Sequence, residues 1–404
     1  MPGLQGKRVL LGVTGSIAAY KAADWVRSLV KEEAMVTVVM TEAAERFVAS
    51  LTFSALSGNP VHRDMFDETP DRVMAHINLS READVILIAP ATAQTIGRLA
   101  YGMADNLLAT VVLAAQIPVV VCPAMNSAML SHPATLANIS RLEQFGYHLV
   151  QPGSGSLACG DTGDGRLADW DVAREKLLAL FQPDDLKGRR ILITAGPTRE
   201  PLDPARFLSN RSSGKMGFAL ARAARRRGAE VTLVAGPVHL PDPPGIEVIR
   251  VTTAAEMAVA VFERAKTMEV IVKSAAVADF KPSTYASHKI KKTQQGFHLD
   301  LVKNTDILTE LGKNRFPGQV LVGFAAESRD HVSEGQRKLR EKNLDLIVVN
   351  DILGAKTGFD VETNQVTLID RQASACLPLL SKEATANRIW DKVVLLLEKS
   401  DNEV

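Results

Sequence analysis

Cysteine is scarce in this chain of 404 residues: Cys122, Cys159 and Cys376 are odd in number and widely spaced. That argues against a disulfide framework and against a Cys-rich zinc site. An excess of one charge sign is missing too, because 47 basic and 46 acidic side chains leave a formal net charge of +1. Such a balance gives no general attraction for nucleic acid or a membrane surface. No uninterrupted apolar run approaches the ~20 residues that a membrane-spanning helix needs. Residues 1–8 lead straight into a strand-like segment without the long apolar stretch of a secretory signal, so the expected location is the cytoplasm.

What is present points to two packed domains. A length of 404 residues exceeds the size at which one core keeps growing, and 46% hydrophobic residues suffice for two cores. Aliphatic runs at 8–13, 35–40, 85–89 and 119–122 read as strands, with helical patterns at 17–30, 104–115 and 135–145. Strands alternating with helices predict a parallel α/β sheet, whose ligands sit at the carboxyl ends of the strands. Those ends carry Gly15 and Ser16, then Thr41, then Thr92, Ala93 and Thr95, then Ala124 and Asn126. Small residues and hydroxyls before a helix suit a phosphate, although the turn 12–18 is not a full GxGxxG fingerprint. Taken singly, Thr41 and Thr92 read as helix caps. Taken together, four polar strand ends predict one pocket. His76, among apolar neighbours, reads by itself as a structural histidine. Residues 153–166 hold five glycines and Cys159, and read as a mobile loop able to close over that pocket.

The polar segment 181–190 reads as the joint between domains, expected at 1–189 and 190–404. A strand restarts at 191–196 and a helix follows at 218–227. Between them, three prolines (Pro197, Pro201 and Pro204) read as excluding regular structure in 194–206, and the serine- and glycine-rich run 208–217 reads as a phosphate cradle or a capped surface helix. Further strands end at 274–280 and 323–327. Lys289 stands in a polar Lys-rich run, residues 302–308 open a helix, and Lys338 and Lys342 are four apart on one helical face.

The motifs 15–21, 90–93, 104–108, PAMN at 123–126 and ACGDTGDGR at 158–166, with His76, resemble those of the homo-oligomeric flavin-containing cysteine decarboxylases. The motifs SNRSSGKMG at 209–217, AAVADF at 275–280, KIKK at 289–292, VKNTDI at 302–307 and GFAAE at 323–327 resemble the bacterial CTP-dependent phosphopantothenate–cysteine ligases. Their order matches the bacterial bifunctional family that joins both activities in coenzyme A synthesis. The resemblance implies two Rossmann-like parallel-sheet domains, a flavodoxin-like flavin-binding decarboxylase followed by a nucleotide-binding ligase.

For the first half the resemblance implies FMN near Gly15, Ser16, Thr41, Thr92, Ala93, Thr95 and Ala124. His76 would assist oxidation of the cysteine moiety to a thioaldehyde, and Asn126 would hold the substrate carboxylate. Cys159 would donate the proton that completes reduction of the ene-thiol. Gln94 departs from the Asn of many relatives. For the second half it implies that CTP, with Mg2+, activates 4'-phosphopantothenate for attack by cysteine. Asn210 and Lys289 would act in catalysis. Ser212, Ala275, Asp279, Lys289, Thr305, Asp306, Ile307, Leu308, Phe324, Lys338 and Lys342 would form the CTP site, with Asp279 also a candidate Mg2+ ligand. Thr305 replaces a common Pro, and Lys273 adds an unassigned charge. The partners implied are small molecules and further copies of the chain, trimeric through the decarboxylase and dimeric through the ligase. Two other readings compete with this one: a flavin-binding regulator of the halotolerance type, and an NAD(P) oxidoreductase.

Overall fold

The computed structural model describes residues 3–66, 74–156, 160, 162–291, 298–327, 331–351 and 361–402, the side chains of 326, 327, 331, 351 and 402 excepted. It divides into two compact units, Met1–Phe181 and Gln182–Val404. In the first unit β1 (Arg8–Val13), β2 (Met35–Met40), β3 (Val61–His62), β4 (Val85–Ala91), β5 (Val119–Pro123) and β6 (His148–Leu149) form one parallel sheet in the order 3-2-1-4-5-6. Such a sheet is covered on both faces, which is why its central strands are apolar throughout and do not alternate with polar residues. Val9, Leu11, Val85 and Leu87 enter one apolar layer, and Leu10, Ile86 and Ile88 enter the layer on the opposite face.

Residues 153–166, expected as a loop, are instead an antiparallel ribbon over the described positions, β7 (Gly153–Ser156) with β8 (Thr162–Arg166). Cross-strand pairing satisfies the backbone that the glycines leave bare. At Gly165, φ is +132° and a Cβ would meet the Met125 carbonyl oxygen at 2.2 Å, so only glycine lets the ribbon lie on the 123–127 loop. The Met125 amide donates to the Gly165 carbonyl at 2.9 Å, and the Ser127 hydroxyl to the Asp164 carbonyl at 2.7 Å. The helix expected at 104–115 is shorter, Leu107–Leu113, because the Asn106 carboxamide accepts from the Ala109 amide and caps it. The helix Ala93–Tyr101 begins directly after Thr92, the residue that reads by itself as a helix cap.

The second unit repeats the topology. β9 (Arg190–Ala195) restarts the chain, and the supposedly irregular run after it contains a hairpin, β10 (Arg199–Asp203) with β11 (Arg206–Ser209). Pro201 sits in β10 because this two-stranded ribbon has free edges, where a missing N–H costs no ladder bond. β12 (Glu230–Ala235), β13 (Glu247–Arg250), β14 (Val270–Lys273), the β15–β16 hairpin (Phe280–Pro282 and Leu301–Lys303), β17 (Val320–Glu327) and β18 (Leu346–Asp351) follow. β19 (Thr363–Asn364), β20 (Val366–Asp370) and β21 (Ser374–Cys376) complete the part that bears on the site. The main sheet runs β13-β12-β9-β14-β17-β18-β20-β21, and only its last two pairings, β18 with β20 and β20 with β21, are antiparallel. Counted within the sheet, its six parallel strands again have the order 3-2-1-4-5-6.

The buried Arg227 fastens the start of this unit to its end. Its guanidinium donates to Asp185 at 2.8 and 2.5 Å, to Asp391 at 2.8 Å and to the Asn387 carbonyl at 3.2 Å. Beside it the Trp390 indole N–H donates to the Leu220 carbonyl at 3.0 Å, holding the helix Lys382–Asn402 against the helix Lys215–Arg226. Asp185 and Asp391 are partly exposed, so losing their partner leaves them hydrated. Arg227→Met is expected to destabilise the second unit by about 1.5–3 kcal/mol, read as a lower urea midpoint for its transition.

Candidate functional sites

In a doubly wound sheet the crevice opens where the strand order reverses, here between β1 and β4 and again between β9 and β14. Both crevices are built with the same device. Buried Thr14, just past β1, donates its hydroxyl to the Pro90 carbonyl at 2.6 Å and accepts from the Thr92 amide at 3.1 Å. Buried Thr194, in β9, accepts from the Ala275 amide at 3.2 Å, while the Ser274 hydroxyl donates to its carbonyl at 2.7 Å. Thr198 accepts from the Ala278 amide at 3.1 Å. Sequence reasoning missed these three threonines. Their signal was position: a hydroxyl at the carboxyl end of the first strand of each sheet.

The first crevice holds a cleft of about 540 Å³ whose walls include Gly15, Ser16, Thr41, Thr92, Ala93, Thr95 and Ala124, all seven residues expected at the flavin. Thr92 does cap the helix Ala93–Tyr101, accepting from the Thr95 amide at 3.3 Å, and lines the cleft as well. Thr41 makes no side-chain cap bond. An adjoining cleft of about 470 Å³ shares Ser16, Ala124 and Met125 and adds Asn126, Ser156 and Arg166. The β7–β8 ribbon therefore lies beside Asn126, whose carboxamide oxygen accepts from the Ala128 amide at 2.8 Å. His76, half-buried in the helix Ala75–Glu82, lines neither cleft. Cys159 lies outside the described residues.

The second crevice holds a cleft of about 780 Å³ that brings together Asn210, Ser212, Ala275, Asp279, Thr305, Asp306, Ile307, Leu308, Phe324, Lys338 and Lys342. Gly217 lets the helix Lys215–Arg226 close on the sheet, because a Cβ there would meet Ala195 at 2.5 Å and the Ser274 hydroxyl at 2.7 Å. The Asn210 amide donates to the Val277 carbonyl at 3.0 Å and the Asn304 amide to the Ala278 carbonyl at 2.9 Å, fixing the loop that carries Asp279. Lys289 is exposed and stands apart from this cleft. Its neighbour Ile290 is anchored, the amide donating to buried Asp203 at 3.1 Å and the carbonyl accepting from Arg206 at 2.7 Å. Among the described residues, no group of three or more His, Cys, Asp or Glu side chains gathers as a metal site. No helix there is long and apolar enough to cross a membrane.

Charge in this cleft is tightly organised. Burial pushes the Asp306 carboxyl up, but the Lys342 ammonium at 2.7 Å and the Thr309 amide at 3.1 Å outweigh it and hold the group at about 2. Lys273 ends β14 between Thr194 and Gly323 and lines the same cleft. Burial, with a smaller contribution from Lys342, brings its ammonium down from 10.5 to about 8 against the opposing pull of Asp306 and Asp279. Because its folded pKa lies below the unfolded one, the unfolded chain binds more protons between about pH 8 and 10.5, so the lysine's cost is full below that window and disappears above it. Lys273→Met is expected to raise the melting temperature of the second unit at pH 7, by roughly 2–4 °C for each kcal/mol recovered. The gain should shrink as pH rises towards 10.5; a gain independent of pH would exclude the charge as its cause.

Residues 3–181 match the family described as Flavoprotein, and residues 186–396 match the DNA/pantothenate metabolism flavoprotein C-terminal domain. The coenzyme A biosynthesis bifunctional protein CoaBC of Vibrio cholerae is 45% identical over 391 residues, 96% of this chain and 98% of the relative. The CoaBC protein of Bacillus subtilis is 46% identical over 402 residues, 98% of this chain and 99% of the relative. That of Escherichia coli K12 is 45% identical over 395 residues, 97% of each. With two catalytic-scale clefts on two like sheets, and with similarity running through both, this chain belongs to the family of bifunctional coenzyme A biosynthesis flavoproteins.

Proposed function

We propose that the second unit ligates cysteine to 4'-phosphopantothenate with CTP, and that the first decarboxylates the product to 4'-phosphopantetheine. The observation that supports this reading best is convergence: apart from His76, the KIKK run and the undescribed Cys159, the motifs of each half contribute residues to clefts at the carboxyl edge of their own sheet. A regulator of the halotolerance type is not favoured, because a second family domain follows the flavoprotein domain in one chain. The cytoplasm is the setting that suits this chemistry.

In the first unit the donor set fits FMN. Ser16, Thr41, Thr92 and Thr95 offer hydroxyls, the helix Ala93–Tyr101 presents its N-terminus, and Gly15, Ala93 and Ala124 keep the walls low enough for a flat ring. FMN bound there supplies the two-electron oxidation and its reversal. Asn126 holds the substrate carboxylate from the adjoining cleft. His76 moves the proton in the oxidation step, and a trimer that places it against a neighbouring subunit's cleft accounts for its position. Cys159, carried between β7 and β8, donates a proton to the ene-thiol in the closing reduction.

In the second unit a carboxylate oxygen of 4'-phosphopantothenate attacks the α-phosphorus of CTP. The new O–P bond replaces the bond to pyrophosphate, which leaves with the electron pair. The cysteine amine then attacks the acyl carbon; a C–N bond forms, CMP leaves, and the amine proton passes to solvent. Both reactants of the first step are anions, so the cleft needs cations and oriented donors. Lys338, Lys342, Asn210 and Ser212 supply these, with Ala275 and residues 305–308 and 324 completing the CTP wall. Asp279 contacts cytosine or the Mg2+ that arrives with CTP. Lys289 neutralises triphosphate charge, and dimeric pairing of ligase units accounts for its place outside this cleft.

The yellow protein given phosphopantothenate, cysteine, CTP and Mg2+ should yield both products by mass, whereas a colourless protein yielding neither would overturn the reading. Cys159→Ser should oxidise and decarboxylate substrate but stall at the ene-thiol; normal 4'-phosphopantetheine output would remove Cys159 from its role. Lys289→Gln should lose pyrophosphate release by a factor of at least about 100, on the scale of a removed electrostatic contact, while supplied phosphopantothenoylcysteine is still decarboxylated. Retained CTP-dependent ligation would refute the assignment of Lys289.

A further inference from the structure

Among the described residues, four buried side-chain oxygen atoms have no hydrogen-bond partner, and two of them, Asn350 Oδ1 and Asn364 Oδ1, belong to residues lining the ligase cleft. Buried carbonyl oxygens without partners are costly and uncommon, and a site that binds ligand is one reason for keeping them. The pair is close in the fold: Asn350 in β18 is opposite Val366 in β20, and Asn364 lies two residues before Val366. Asn364 is 3% exposed and its Nδ2 donates to Met216 Sδ at 3.5 Å, at the start of the helix Lys215–Arg226.

These two acceptors stand out in a cleft that otherwise offers positive charge, with Arg211, Lys273, Lys303, Lys338 and Lys342 among its walls. Its carboxylates are Asp279 and Asp306, and Asp306 is engaged by Lys342 at 2.7 Å. Phosphates and carboxylates of the first two substrates call for donors. A pair of oxygens with nothing to accept calls for N–H groups. We infer that Asn350 and Asn364 bind the amino group of the incoming cysteine and position it for attack on the acyl carbon. This rests on the ligase reading of the cleft proposed above.

The choice of carboxamide over carboxylate has a chemical reason. A carboxylate beside the amine stabilises the ammonium, which has no lone pair to attack with; a neutral carbonyl oxygen accepts an N–H from the free amine without the same bias towards the protonated form. Asn350 and Asn364 thus act as positioning residues that hold the nucleophile while leaving its lone pair available.

The test uses the full chain and three readouts: pyrophosphate release with cysteine varied, the same with CTP varied, and CTP–pyrophosphate exchange with phosphopantothenate alone. Asn350→Leu and Asn364→Leu keep the volume and remove the acceptor. Each is expected to raise KM for cysteine at least tenfold while KM for CTP moves less than twofold. Asn364→Asp restores an acceptor but adds charge, so it should recover cysteine binding to within threefold and shift the pH profile of ligation to higher pH. An unchanged cysteine KM in both Leu variants overturns the inference, as does a CTP KM that rises by the same factor. Should the Leu variants fail to fold, an Asn364→Asp enzyme with the wild-type pH profile overturns it. Wild-type protein showing no CTP–pyrophosphate exchange removes the ligase reading itself, and the inference with it.

Discussion

Both sites depend on a buried threonine hydroxyl at the point where the strand order reverses. Thr14 ties the end of the first strand to Pro90 and Thr92, and Thr194 ties its sheet to Ala275. At such a point neighbouring strands turn their loops to opposite sides, and the backbone groups between them lose their ladder partners. One hydroxyl satisfies them and fixes the spacing of the two loops. The Ser16, Thr92 and Ala124 walls of one cleft and the Ala275 to Asp279 wall of the other are held from there.

On the same architecture, charge makes the two sites different. The first cleft is furnished with hydroxyls and small side chains, which suits a flat phosphorylated ligand held by N–H and O–H donors. The second concentrates lysines, and the chain pays for it in a depressed Lys273 and in an Asp306 kept ionised by Lys342 and the Thr309 amide. The proposed meeting of a triphosphate with a carboxylate calls for such a surplus of cations. The Asn350 and Asn364 oxygens add acceptors to this donor-rich cleft, as the inferred binding of an amine requires.

Much of the fold was legible because buried parallel strands are nearly continuous aliphatic runs, and 8–13, 35–40, 191–195 and 270–272 announce themselves that way. The short strands and ribbons were not legible. Glycine in 153–166 and proline in 199–206 read as breakers, yet a two-stranded ribbon has free edges and asks little of its residues. Helix ends moved where a side chain reached a backbone amide, as Asn106 does at Ala109. The seven residues expected at the flavin were legible as one cleft because they follow strand ends. His76 and Lys289 were legible as family positions, but neither lines a cleft of its own chain.

The sequence by itself determined the two units, the parallel sheets and the residue types delivered to their carboxyl edges, because local hydrophobic runs and the chirality of strand–helix–strand connections leave few alternatives. Tertiary structure alone decided which groups lose water and which meet. Lys273 is ordinary in sequence and becomes a weakened base only when packing surrounds it. Lys338 and Lys342, four apart on a helical pattern, became part of a cleft because Asp306, more than thirty positions away, is brought to Lys342. Burial and through-space charge depend on contacts between distant segments, and no local pattern encodes them.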